Sequence, residues 1–263
     1  MKSRNTLPDL SPNRRYYHRH WGLPIGLAVI FCWCLALALN LQQTLSWTRW
    51  SVYLGVLVQT HLFTGLFITA HDAMHGTVHP HSRINHGIGW LAAMLFVFNP
   101  YHKLRRKHYE HHLHPVTDDD PDYHPGGFWR WYLGFLMEYI TWWQVLAAAA
   151  VFELAALWIP KPALVVFWVI PSILGTLQLF YFGTYLPHKP QHDPNNRHRS
   201  RSRTCNHILS FLSCYHFGYH YEHHAQPQLP WWALPWQKEA MRDGRPGPRA
   251  YPKTNGSAKA YAR

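Results

Sequence analysis

Three groups of histidines hold whatever chemistry this chain can do. The pentapeptide His-Tyr-Glu-His-His stands at 108–112 and again, letter for letter, at 220–224, each copy with a proline three residues on (Pro115, Pro227). A third pair, His71 and His75, lies in Thr-Ala-His-Asp-Ala-Met-His-Gly. Residues three or four apart share a helix face, so His71 and His75 can turn their imidazoles toward one metal. His108, His111 and His112 form a second local set, and His220, His223 and His224 a third. Adjacent histidines diverge by about 100° on a helix, which suits two neighbouring metals better than one. Eight imidazoles overfill a four-coordinate zinc site, and the His-Glu-x-x-His signature of zinc hydrolases is absent. Imidazole serves iron, copper and zinc alike, so ligand type does not choose the metal. Two irons with positions open to dioxygen is the favoured reading.

The elements that must position these groups are apolar. Residues 22–41, 51–70 and 163–187 contain no Asp, Glu, Lys or Arg, and 131–159 is apolar apart from Glu138 and Glu153. Each is long enough to cross about 30 Å of hydrocarbon at 1.5 Å per residue. The expected fold is an all-α integral membrane protein with four transmembrane helices, a histidine-rich metal-binding cap and interfacial helices. Residues 1–21 form a basic tail, 22–241 the membrane domain, and 242–263 a Gly/Pro-rich tail expected to be disordered. The 17 residues Ile84 to Pro100 are marginal for a crossing and would separate the first two histidine groups, so they read as a re-entrant or interfacial helix. Phe128 to Tyr139, crowded with aromatics, reads as an interfacial lead-in to the third span. A bend is expected at Pro171, and one short helix over 207–224 is expected to carry the last group.

The chain carries 25 Lys and Arg against 13 Asp and Glu. Five basic residues fall in 1–21, five in 71–129 and twelve in 188–263, whereas the two remaining loops hold Arg49 and Lys161. With four spans the basic segments share one side, which the positive-inside rule makes cytoplasmic, together with both termini and all three histidine groups. An anionic lipid surface accounts for this charge, and no nucleic-acid-binding motif is present. Two of the four cysteines, Cys32 and Cys34, lie one residue apart inside the first span, where no normal disulfide can close.

The second group extends into Thr117-Asp118-Asp119-Asp120-Pro121, and this His-His, Thr, Asp-Pro order resembles the membrane fatty-acid desaturase and hydroxylase superfamily, whose three histidine boxes hold a di-iron centre. Within it, Phe-Ile-Thr-Ala-His-Asp-Ala-Met-His-Gly (67–76), Gln-Leu-Phe-Tyr-Phe-Gly-Thr-Tyr-Leu-Pro-His-Lys (178–189) and Cys-Tyr-His-Phe-Gly-Tyr-His-Tyr-Glu-His-His (214–224) resemble the β-carotene ketolases of the CrtW type. The likeness covers roughly residues 50–236. Carried over by position, it implies as iron ligands, and hence catalytic residues, His71, His75, His108, His111, His112, His220, His223 and His224, with His188 added at the end of the fourth span. Asp72, Asp118 and Asp120 are then candidates to accept the other ring N–H of a ligand, and His216 is expected to support rather than bind metal. His198 is read as a surface residue.

The resemblance implies two successive hydroxylations at C4 of a β-ionone ring and loss of water, turning the methylene into a ketone and β-carotene into echinenone and canthaxanthin. Breaking such a C–H bond needs a redox metal that the protein holds and shields. No flavin, haem or nucleotide motif occurs in the chain, so dioxygen and an external donor, reduced ferredoxin by family likeness, complete the chemistry. The carotenoid is expected to enter from the bilayer, with Phe180, Tyr181, Phe182 and Tyr185 as candidate wall residues that could equally face lipid. A carotenoid hydroxylase or lipid desaturase is the nearest alternative. A non-catalytic metal transporter or sensor is the distant one, since it would place ligands inside the spans rather than at their ends.

Overall fold

The computed structural model describes residues 16–17, 19–189, 192–203 and 206–250. The apolar runs become helices α1 (Gly22–Gln42) and α2 (Trp50–Met74). They are followed by α3 (Ser82–Leu95), α4 (Tyr101–Leu113), α5 (Phe128–Tyr139) and α6 (Trp142–Ala155). The long α7 (Lys161–His188) precedes three short helices, α8 (His207–Cys214), α9 (His220–Ala225) and α10 (Leu234–Arg242).

Helix α2 is the post of the fold, flanked by α1, α3 and α7. Its last twelve residues, Phe63 to Met74, are buried with the single exception of Phe67, as a helix surrounded on all sides requires. Polar residues on its flank tie it to its neighbours. Gln59 donates to the Trp33 carbonyl of α1 at 3.4 Å, and Thr64 donates to Gly175 O at 3.3 Å on α7. His61 stacks on Tyr215, ring centroids 4.3 Å apart. At 1.5 Å per residue, its 25 residues span about 37 Å, longer than the hydrocarbon layer, and its last turn carries His71 and Asp72.

Among the described residues three helices, α1, α2 and α7, are long and apolar enough to cross a membrane. The expected lead-in, Phe128 to Tyr139, is α5, a separate helix that meets α6 at 85° across Ile140–Thr141, so four crossings require the bent pair to count as one. The break is built from side chains. Gln144 Oε1 accepts the Thr141 backbone N–H at 2.7 Å, closing the start of α6, while Gln144 Nε2 donates to Val97 O at 3.3 Å. Val97 and Phe98 both have positive φ (54° and 56°), a sterically costly conformation, above all for the β-branched valine. This reversal after α3 leads into α4, whose Lys103 and Lys107 reach Tyr139 O and Glu138 at the end of α5. In α7 a widened π-helical turn over Val165–Val169 precedes Pro171, where a bend was expected, and a second one, Phe180–Tyr185, precedes Pro187. A proline lacks the N–H for its own turn and crowds the carbonyl four residues back, which a widened turn relieves.

The single helix expected over 207–224 is two. Tyr215 and His216 take left-handed φ values (46° and 62°), and their N–H groups close onto Phe211 O and Ser210 O. The reversal seats Tyr215 against α2 at Gly65, where any side chain would collide with the tyrosine hydroxyl. A two-residue parallel pairing of Tyr16–Tyr17 with Arg249–Ala250 joins the ends of the described chain. The remainder of the expected tails, 1–15, 18 and 251–263, falls outside the described residues.

Candidate metal centre

The four emerging segments, the end of α2, α4, the end of α7 and α9, converge their histidines into two adjoining groups. His71, His75, His108, His112 and His223 form one; His111, His188, His220 and His224 form the other. Within each, one ring nitrogen per residue lies within 4.8 Å of the rest. The neighbours His111 and His112 go to different groups, as do His223 and His224.

The contacts inside the first group run nitrogen to nitrogen. His75 Nε2 lies 2.7 Å from His108 Nε2, which is 3.0 Å from His112 Nε2. His112 Nε2 lies 3.0 Å from His223 Nε2, itself 3.2 Å from His71 Nε2. A neutral imidazole nitrogen carries a hydrogen or a lone pair, never both. Five such atoms in a row therefore force at least one hydrogen to serve two contacts, and protons alone satisfy the arrangement poorly. In the second group His224 Nε2 faces His111 Nε2 at 3.2 Å and His220 Nε2 at 3.1 Å, repeating the conflict. His188 Nδ1 donates to Arg199 O at 2.9 Å, leaving Nε2 buried with a lone pair and no partner. Converging lone pairs in a largely buried site fit a bound cation on each group. The nitrogen-only donor set, five and four strong, exceeds what two tetrahedral zinc ions of mixed ligation would use.

Electrostatics keep most of these rings neutral, as metal binding needs. Burial, reinforced by neighbouring imidazoles, holds His108, His223 and His224 well below the usual histidine range. His220 is lowered well below that range by burial and by His111, and His75 falls to about 3 through burial and the Arg105 charge. His111 is the exception. Burial opposes its protonation, but Asp122 and Asp120 outweigh burial and displace it upward. Its Nδ1 donates to Asp120 Oδ1 at 2.9 Å, which fixes the ring and leaves Nε2 facing the group. Asp120 also accepts the N–H of Val116 at 2.8 Å and that of Asp122 at 2.9 Å.

The other expected supports are distributed differently. Asp72 Oδ1 stands 3.6 Å from His71 Nδ1, and its Oδ2 accepts the Trp231 backbone N–H at 3.2 Å, tying the first histidine segment to the turn beyond α9. Asp118 lies on the exposed side of the turn that brings Asp120 inward. His216 sits in the left-handed reversal, stacked on Tyr219 and beside His207, Phe211 and Trp231 rather than against any of the nine. Two residues were not foreseen. Asp122 places a carboxylate oxygen 3.9 Å from His111 Nδ1 and accepts from Tyr139 OH. His198, expected at the surface, is half-buried with its ring 6.0 Å from that of His224. The acidic run 118–122 signalled that some carboxylate would be used, but not which.

A cavity of about 500 Å³ ends on this centre, with His71 and His108 of one group and His111 and His220 of the other in its wall. Phe67, Phe96, Leu104, Phe135 and Leu179 line it, and it continues past Gln144 and Val145 of α6 to Val169 and Ile173 of α7. Gly183 and Thr184 contribute to the wall, whereas Phe180, Tyr181, Phe182 and Tyr185 lie outside it. Phe180 packs into a separate core with Trp131, Tyr132 and Phe135, and Tyr181 is exposed on the flank of α7.

Fold and site together define a helical membrane protein with two adjoining histidine groups built to hold metal. The chain belongs to the fatty acid desaturase family, whose model matches residues 45–140 and 137–252. It is 47% identical over 180 residues to a β-carotene ketolase of a Paracoccus strain, covering 67% of this chain and 74% of that protein. A second such ketolase, of Paracoccus sp. (strain PC1), is 42% identical over 219 residues, 81% of this chain and 90% of the relative. A zeaxanthin 4-ketolase of Chlamydomonas reinhardtii is 36% identical, covering 84% of this chain and 54% of its own length.

Proposed function

We propose that this chain is a β-carotene 4-ketolase: an oxygenase that converts the C4 methylene of a β-ionone ring to a ketone, giving echinenone and then canthaxanthin. One observation carries the reading beyond family likeness. An apolar cavity leads from the flank of the spans to histidines of both groups, the shape needed to bring an unfunctionalised ring to a two-metal site. The nine histidines of the two groups are the proposed ligands of two irons. Bound there, the irons supply the redox activation of dioxygen that an allylic C–H bond demands.

The chain's own residues perform the remaining tasks. Ile140, Val145 and Ile173 line the cavity and are also 46%, 57% and 56% exposed on the apolar flank, so the cavity opens toward lipid between α6 and α7. A carotenoid can therefore enter sideways without crossing water. Phe67, Phe96, Leu104 and Phe135 clasp the ring and exclude solvent, orienting C4 toward the histidine end. Asp120 and the Arg199 carbonyl hold the His111 and His188 rings at their Nδ1 atoms, keeping Nε2 directed inward. Each hydroxylation takes one dioxygen, two electrons and two protons and releases water; a second at the same carbon gives a geminal diol, which loses water to the ketone. The electrons come from an external carrier of the ferredoxin type. The basic segments 71–129 and 188–263 support a cytoplasmic site, with both termini on that side.

Expression in β-carotene-producing cells tests the function. Keto-carotenoids with the mass gain of a carbonyl at C4 are expected. Accumulation of only hydroxylated or desaturated products would replace the ketolase reading with another activity of the same family.

A further inference from the structure

The two copies of His-Tyr-Glu-His-His differ in the fate of their glutamate. Glu110 is half-exposed and pairs with Arg106 one helical turn away, at 3.6 Å. Glu222 is 4% exposed, and a buried carboxylate must be matched by partners. It accepts from the Ser202 hydroxyl and pairs with Lys238 at 3.4 Å. Ser202 Oγ also accepts the Tyr221 N–H at 3.2 Å, closing the start of α9, and Ser202 bridges to Tyr219 as a single antiparallel pair. The segment leading to it crosses the end of α7. Arg201 N donates to Pro187 O at 3.1 Å, and Arg203 N donates to Gly218 O at 2.8 Å.

Arg199, at the other end of this segment, is held at φ 40°, a conformation an arginine adopts only under constraint from its surroundings. Its carbonyl takes the His188 Nδ1–H at 2.9 Å, while its guanidinium donates to Val116 O at 2.8 Å. Val116, itself at φ 57°, donates its N–H to Asp120, which holds His111. One continuous path therefore runs His188, Arg199, Val116, Asp120, His111, and a second runs Ser202, Glu222, α9. All four histidines of the second group sit at the ends of these paths: His188, His111, and His220 and His224 on α9. For the first group, only His223, also on α9, shares them.

We propose that residues 199–202 are a strap that positions the second histidine group, with Arg199 and Ser202 as positioning residues that set metal retention chiefly there, the first group sharing only His223. The inference rests on the two-metal reading above. The test uses the full chain, iron-loaded, in detergent or nanodiscs, with iron counted per chain and its release to a chelator followed in time. Two irons and two release phases are expected of the unaltered protein. His188→Ala, which removes a member of the second group, identifies the phase belonging to it. Arg199→Ala and Ser202→Ala should each speed that phase about tenfold or more, the size expected when a ligand loses its support, and leave the other within about twofold. Arg199→Lys, which keeps one donor for Val116 O, should recover part of the loss, and Glu110→Gln should change neither phase. Equal acceleration of both phases, or of neither, overturns the strap. An unaltered protein that holds a single iron refutes the two-metal reading and the strap with it.

Discussion

His216 and His220 are four residues apart, and on one helix they would share a face. The left-handed turn at Tyr215–His216 separates them: His220 joins the second histidine group, while His216 stacks on Tyr219 and Trp231. His220→Ala is therefore expected to lose iron and activity together. His216→Ala should keep most of its iron and measurable turnover, as iron analysis and pigment yield on the purified variants would show. Asp120→Asn tests the support of His111. Replacing the carboxylate that accepts Nδ1–H should weaken metal affinity 10–100-fold, read by metal titration, with the ring left in place. At this scale the histidines were legible because a repeated pentapeptide is hard to explain by packing. Their partners were not. Asp118, Asp120 and Asp122 look alike in a row, and only the turn at 117–120 decides that Asp118 faces water while the other two are buried. Glu110 and Glu222 are the sharper case, identical in local sequence and opposite in burial, because burial is set by the strap and α10 and not by the pentapeptide.

Among elements, the elbow between α5 and α6 shapes the cavity. It brings Tyr132, Phe135 and Tyr139 from one arm and Gln144, Val145 and Ala148 from the other into a common wall. Gln144 holds both the start of α6 and the strained reversal at Val97, so Gln144→Ala removes a cap and a buried hydrogen bond at once. A loss of about 1–2 kcal/mol is expected, visible as a lower thermal midpoint, with weaker substrate binding because the reversal at 96–99 lines the cavity. Ile173→Trp probes the mouth: a bulky ring at the lipid-facing opening should cut turnover several-fold at unchanged iron content. Unchanged turnover would place the route elsewhere. The elbow was readable in one detail that hydropathy obscured. Thr141-Trp-Trp-Gln144 is a helix-start signature inside an apolar window, and it marks where α6 begins anew. The 85° angle itself had no local signal, since neither Pro nor Gly stands at Ile140–Thr141 and the direction of α5 is set by its packing on α7 and α4.

For the whole molecule, the apolar runs and the placement of basic residues made a membrane-embedded helical bundle legible, because lipid leaves the backbone few other choices. The convergence of four distant segments on one point was legible only as a requirement of the chemistry. Its energetic consequence is a pH dependence. The half-buried His75 and the buried His108, His220, His223 and His224 are neutral in the fold, with His75 at about 3 against an ordinary value near 6.5. Between these limits the unfolded chain takes up protons that the folded chain refuses. Their contribution to stability is thus complete above pH about 6.5 and is lost as pH falls below it, for His75 by roughly 1.4 kcal/mol per unit down to about 3. His111 works in the opposite sense. Its folded value is raised, so its contribution is present at low pH and lost as pH rises through that value, offsetting part of the trend. Asp122, pushed up to about 6 by burial, acts in the same sense as His111, but the lowered histidines, His112 among them, outnumber these two, and the net slope favours destabilisation by acid. The iron-free chain in detergent should therefore show a thermal midpoint that drops steadily from pH 8 to pH 5. The iron-loaded chain should hold its midpoint to lower pH, because bound metal competes with protons for the same lone pairs. A midpoint that rises on acidification of the iron-free chain would mean that the clustered imidazoles are already charged in the fold, and the neutral, metal-ready centre would have to be abandoned.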